Sequence, residues 1–168
     1  MRDTWGKHAT DTVAGMPLLI RPDDLTGAET RALVASHLAG MLENTPPESV
    51  HALDADRLSA DGITVWSAWV DDELAGIGAC KDLGVDRAEL KSMRVVGRFL
   101  GQGIGRAILR HIMEDAAERG IRSLWLETGS TDDFAAARGL YASEGFRECE
   151  AFAPYAPDPL STFMTREL

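Results

Sequence analysis

Cysteine is scarce here: Cys80 and Cys149 are the two in a chain of 168 residues. Two thiols cannot build the disulfide framework of a small secreted domain, and no CxxC pair suggests zinc. Both lie in apolar, strand-like runs, so they read as buried free thiols, which fits a reducing cytoplasm and assigns no metal. Long apolar runs are missing as well. Nothing approaches the roughly 20 residues that a membrane span needs. The opening MRDTWGKHATDTVAG has no apolar h-region, so it is not expected to be a secretory signal. Residues 1–15 are expected to form a disordered leader, with one domain over 16–168 and either Met1 or Met16 as the native start. Positive charge is the third shortage: 17 Lys and Arg face 27 Asp and Glu, a net charge of −10. Such a surface repels phosphate backbones and anionic lipid. It argues against nucleic-acid and membrane partners and is compatible with cationic substrates.

What is present suffices for a core, since 45% of the residues are apolar and 26% charged. Leu18 to Pro22 is a short apolar strand. Thr26 and Glu29 form a T-x-x-E capping box, and Leu33, Val34, His37, Leu38, Met41 and Leu42 continue a helix on one face. A Pro-punctuated connection from Asn44 to Asp54 leads to a short helix around Ala55 to Leu58. Ile63 to Val70, an Asp71-Asp72 turn and Glu73 to Lys81 predict a hairpin. Arg87 to Val96 adds a third strand, completing an antiparallel meander. Ile104, Ile108, Leu109, Ile112, Met113 and Ala116 make one helical stripe, closed by Gly120. Ser123 to Thr128 reads as a buried strand. Ser130 and Asp133 are expected to cap a helix that ends before Gly145, and Phe146 to Phe152 and Ser161 to Glu167 to be the last strands. This order predicts an α/β fold: a mixed, mostly antiparallel sheet with helices on both faces.

The sharpest local feature is GQGIG, with Gly101, Gly103 and Gly105 between a strand and a helix. Glycine admits positive φ and close ligand approach, and a helix start offers unpaired amides with partial positive charge. Together they form an anion cradle suited to phosphate. The loop lacks GxxxxGK[ST], so the nucleoside-triphosphate reading loses its lysine and its magnesium-binding hydroxyl. Arg106 breaks G-x-G-x-x-G, and the loop follows a meander rather than opening a βαβ unit, which disfavours a dinucleotide.

ELKSMRVVGRFLGQGIGRAIL, followed by ARGLYASEGF, resembles the GNAT superfamily of acyl-CoA N-acyltransferases. The glycine motif opens a helix, and Ala137, Leu140, Tyr141, Gly145 and Phe146 complete the family's second motif. The resemblance spans about residues 18–168 and includes traits of a bacterial subgroup of acetyltransferases. It implies a pair of parallel strands, Arg87–Val96 and Ser123–Thr128, that splay apart. It also implies acetyl-CoA as co-substrate, with its pyrophosphate on the amides of Gly101, Gln102, Gly103, Ile104, Gly105 and Arg106. Its pantetheine arm would pair with backbone groups of Met93 and Val95. The motif's usual Gln or Arg falls at Leu100, for which Arg98 or Arg106 compensates, and a frequent Asn is Phe134 here. A homodimer is a family habit that the resemblance also admits.

Acyl transfer to an amine needs a base, because an alkylammonium has a pKa of about 10.4, and an acid for the departing thiolate. By the resemblance Tyr141 is the acid; its plainer reading is a core aromatic. Glu89 stands on the strand that enters the cofactor loop, and simple alternation puts it on one face with Lys91, Met93 and Val95. Glu127, on the neighbouring strand, is the second candidate base or a substrate-orienting carboxylate. For either, the plainer reading is a salt bridge, with Lys91 as partner. Glu48, Ser49 and His51 fall where the family walls its acceptor pocket. His37 reads as a core-edge residue. Four functions stay open: acetyl transfer to a small amine, transfer to a protein or peptide amine, binding of acyl-CoA without turnover, and a phosphate- or nucleotide-binding module.

Overall fold

The computed structural model describes residues 8–168. Eight strands form one sheet in the order β1-β2-β3-β4-β5-β6-β8-β7. They are β1 (Ala9–Val13), β2 (Met16–Pro22), β3 (Ile63–Val70), β4 (Glu73–Gly84), β5 (Arg87–Val95), β6 (Ser123–Gly129), β7 (Arg147–Cys149) and β8 (Ser161–Glu167). The helices are α1 (Ala28–Asn44), α2 (Ala55–Leu58), α3 (Ile104–Glu118) and α4 (Ala135–Ser143). Among the described residues, only β5 and β6 run parallel; every other neighbouring pair is antiparallel. Among the described residues, no helix is long and apolar enough to cross a membrane.

The sheet separates two apolar clusters. On one face, Ile104, Ile108, Leu109, Ile112, Met113 and Ala116 of α3 are buried with Trp66, Leu90, Leu124, Leu126 and Tyr141. This is the helical stripe read from the sequence. On the other face, Val34 of α1 and Leu58 of α2 pack with Val65, Ile77 and Ala79. Gly78 brings α3 close to the sheet: a Cβ there would lie 2.7 Å from Ile108 Cγ2 and 2.9 Å from Ile112 Cδ1. The fully buried Ile108, Leu109 and Ile112 each contribute about 1.5–3 kcal/mol of burial.

Several expectations need correction. Residues 9–13 of the expected leader are a paired edge strand, joined to β2 by an Ala14-Gly15 turn with both φ positive, 51° and 79°. That combination is the hairpin turn whose twist matches the strands. Residues 1–7 lie outside the described ones. The Thr26–Glu29 capping box does not form. Thr26 donates its hydroxyl to Asp24 Oδ1 at 2.7 Å, and Gly27 begins α1 without a side-chain cap. Ser130 likewise donates to the Pro159 carbonyl at 2.6 Å, and α4 begins after a short 3₁₀ turn at Asp132–Phe134. The strand expected over 146–152 shrinks to Arg147–Cys149, because the chain leaves the sheet edge to turn Phe152 inward.

Candidate active site

The parallel pairing of β5 and β6 runs from Arg87↔Ser123 to Leu90↔Leu126 and stops, although β5 continues to Val95 and β6 to Gly129. The break coincides with a bulge. Ser92 has φ 53°, and the β4–β5 register shifts between Ile77 and Ala79. A bulge bends its strand, so β5 leaves β6 and its backbone groups on that edge lose a strand partner. The bulge also overturns the simple alternation expected from the sequence. Met93 and Val95 face α3: Met93 Sδ and Val95 Cγ2 lie against the Cβ positions of Gly78 and Gly105. Glu89 and Lys91 point to the opposite face. The gap between the strands therefore joins two chemically different sides.

On the α3 side, Gly101 and Gly103 have φ 74° and 87°, and Gly103 caps α3 in the left-handed region without a side-chain bond. The amides of the first helical turn are left for a ligand. This cradle fits a phosphate group, the expectation for residues 101–106. Val13 of β1 walls it, since a Cβ on Gly103 would come within 3.2 Å of Val13 Cγ1. Leu100 is exposed, and Gln102 turns its amide back to the Arg98 carbonyl at 2.9 Å. The two arginines expected to compensate are both engaged. Arg98 pairs with Glu73 at 2.8 Å, and Arg106 pairs with Glu144, which also accepts from Arg110 at 3.0 Å. The Arg110 bond, joined by Arg106, holds the Glu144 carboxyl below the usual range.

On the other side, Glu89 is 2% exposed. Its Oε1 accepts from Lys91 Nζ at 3.1 Å and from the Tyr155 hydroxyl, while Lys91 also donates to that hydroxyl at 2.8 Å. Burial, reinforced by the Glu89 charge, pushes the Tyr155 phenol far above its ordinary range, so it stays a donor. Around Tyr155 stand His51 at 4.9 Å between ring centroids, Phe152 at 5.1 Å and Phe163 at 5.7 Å. Glu127 sits half-buried beside them. Burial raises its carboxyl pKa, the Ser161 side chain and then the charges of His51 and Lys91 oppose the rise, and Glu89 adds to it. Tyr141 is buried under Phe146 at 5.9 Å, and its phenol is pushed well up, first by burial and then by the charge of Glu127. Glu127 and Tyr141 are thus within electrostatic reach of each other at the splay.

Ser49, His51, Glu89 and Glu127 gather on this side, while Tyr141 stays in the cluster on the α3 face and reaches them through the Glu127 charge. Glu48 does not join them: its side chain is exposed. Tyr155 and Asp158 were missed, the latter accepting from Ser49 Oγ at 2.5 Å. The signal available for Tyr155 was an aromatic residue lodged between prolines in FAPYAPDP. Cys80 is buried and its thiol pushed up to about 12 by burial, which leaves it inert. Among the described residues, no group of three or more His, Cys, Asp or Glu is placed to hold a metal. An open cleft of about 1000 Å³ lies away from this chemistry, between the start of α1 and the start of β3, and contains none of these side chains.

A model of the acetyltransferase (GNAT) family matches residues 30–146. The chain is 50% identical over 149 residues to the uncharacterized N-acetyltransferase YsnE of Bacillus subtilis, covering 89% of this chain and 99% of that protein. It is 47% identical over 149 residues to the uncharacterized N-acetyltransferase YedL of Escherichia coli, covering 89% and 94%. Its fold is similar to the crystal structure of the ribosomal-protein-alanine N-acetyltransferase of Brucella melitensis. That match has a TM-score of 0.64 and 26% identity, and covers 89% of this chain and 99% of the other.

Proposed function

The chain belongs to the acetyltransferase (GNAT) family of acyl-CoA-dependent enzymes, and on that premise we propose that it acetylates the primary amine of a small molecule by direct transfer. Acetyl-CoA, when bound, supplies an activated acetyl thioester. The amides of residues 101–106 would hold its phosphates, and the backbone edge of β5 at Met93 and Val95 would hold its arm.

Glu127 takes the base role in this reading, in place of Glu89. Glu89 is 2% exposed, and its Oε1 already accepts from Lys91 and Tyr155, which ties this carboxylate into the wall. Glu127 is half-buried with a raised pKa, which brings a carboxylate nearer to the basicity that amine deprotonation needs. Tyr141, kept protonated by burial, delivers its proton to the leaving sulfur. Glu89 and Lys91 then shape the acceptor side, with His51 and Ser49. The observation that carries this reading is the placement of Glu127 and Tyr141 at the end of the β5–β6 pairing.

The test follows thiol release from acetyl-CoA across a panel of amines, amino acids and short peptides. Glu127→Gln is expected to lower kcat by about 10²–10⁴-fold, the range for removing a general base. Tyr141→Phe should lower it less, and Glu89→Gln should act mainly through the acceptor KM. Equal loss in Glu89→Gln and none in Glu127→Gln would reverse the two carboxylates. A second reading, acetylation of a protein N-terminus, is favoured by the name of the Brucella melitensis relative and predicts that peptides head the panel.

A further inference from the structure

We propose that the Pro-rich segment 150–160 is a strap that closes the acceptor mouth to polypeptides, with Tyr155 and Asp158 as its specificity-determining residues. The inference rests on the acetyltransferase reading above and names the class of acceptor that site admits.

The strap lies flat. Pro154, Ala156, Pro157 and Pro159 are exposed, while Phe152, Tyr155 and Asp158 turn inward. Each inward residue grips a different part of the molecule. Phe152 packs on Trp125 of β6 and Phe163 of β8, at 5.3 and 5.8 Å. Tyr155 reaches the buried Glu89–Lys91 pair on β5. Asp158 accepts from Ser49 at 2.5 Å, and Ser49 is itself buried in the wall formed by residues 46–51. The same wall presents His51 edge-on to Tyr155. The two walls flanking Glu127 are therefore joined at two points. Three prolines with fixed φ stiffen the crossing. A polypeptide needs a channel that continues past its first residue, by about 3.3 Å for every residue added. In this proposal the strap, bonded to the 46–51 wall through Asp158 and to β5 through Tyr155, stands across that path. Glu127, His51, Trp125 and Tyr155 all remain half-buried rather than sealed, so the side chains that would meet a compact amine stay accessible.

The test pairs two readouts on the full chain. Hydrogen exchange should show a slow amide at Tyr155, which bonds the Phe152 carbonyl at 2.8 Å, in the wild type, released in Asp158→Ala, with residues 101–106 unchanged. Acetylation kinetics should compare the best amine of the panel with the same amine extended through a glycine chain at its far end. Extension should cost the wild type at least about tenfold in kcat/KM, a difference of 1.4 kcal/mol. Asp158→Ala and Tyr155→Ala should shrink that gap, with the KM for acetyl-CoA unmoved. Fast exchange of the Tyr155 amide in the wild type overturns the strap. So does slow exchange with no penalty for extension, or a released strap that leaves the penalty intact. If no amine or peptide releases thiol, the acetyltransferase reading fails first, and the exchange data still report whether the strap is closed.

Discussion

The two sides of the splayed strands are built from different materials. The α3 side is backbone: two glycines in the left-handed region, a helix start, and the bare edge of β5. The β8 side is side chains: two carboxylates, a lysine, a tyrosine and a histidine, drawn from β5, β6 and two loops. Backbone amides cannot be substituted away, so a cradle made of them suits a ligand that stays the same. Side chains change one at a time, so a wall made of them suits a ligand that differs between relatives. The difference locates substrate choice on the β8 side, where fold alone does not fix function.

The largest effect should come from breaking the side-chain wall. Lys91 and Glu89 are 9% and 2% exposed, so their ion pair is buried. Lys91→Met leaves a buried carboxylate with only the Tyr155 hydroxyl for company, and should cost about 3–5 kcal/mol in urea unfolding. Adding Glu89→Leu removes the stranded charge and should return most of that loss. A double variant no more stable than Lys91→Met would mean that the pair does not hold this wall together. Arg98–Glu73, on the phosphate side, is more than half exposed at both ends, and its loss should cost at most about 1 kcal/mol.

How much of this was legible follows the same division. The glycine loop, the α3 stripe and the Tyr141 helix are local patterns, each contained within a few turns of chain. All could be read from the sequence. The bulge at Ser92 could not, because nothing in ELKSMRVV marks where β5 must bend away from β6. One inserted residue then reversed the faces of Met93 and Val95. Strand β1 was missed because ATDTV offers a single larger apolar residue, Val13, and gains its order from pairing with β2. The Thr26 cap failed for a local reason, since Asp24 takes its hydroxyl first. Tyr155 and Asp158 find their partners 66 and 109 residues away, beyond any local pattern.

A smaller effect should separate the faces by pH. His37 of α1 faces Arg94 of β5, and its pKa is lowered to about 4, first by burial and then by that guanidinium. Above pH 6.5 the imidazole is neutral in both folded and unfolded chains, so it contributes no pH dependence. Between 6.5 and 4 the unfolded chain binds a proton that the folded one refuses. Stability therefore falls as pH drops, by up to about 3 kcal/mol at one pKa unit per 1.36 kcal/mol. His37→Leu should flatten that slope in melts taken from pH 7 to pH 4. An unchanged slope would assign the acid lability to other groups.

The smallest effect sharpens the comparison most, because it acts on the backbone side alone. Gly103→Ala adds a methyl group to a residue with φ 87°, where an L side chain costs about 1–2 kcal/mol. The new Cβ would also press on Val13 Cγ1 at 3.2 Å, and a valine side chain on an edge hairpin can give by a few tenths of an ångström. The strain falls on the loop that presents the first amides of α3, so acetyl-CoA binding should weaken by about tenfold. The acceptor KM should stay put, because Glu89, Lys91 and Tyr155 bond one another on the opposite face of the sheet from α3. Steady-state kinetics with each substrate varied in turn would check both halves. If the acceptor KM rose along with that for acetyl-CoA, the two sides would be coupled through β5, and the division between a backbone cradle and a side-chain wall would be one of material but not of energetics.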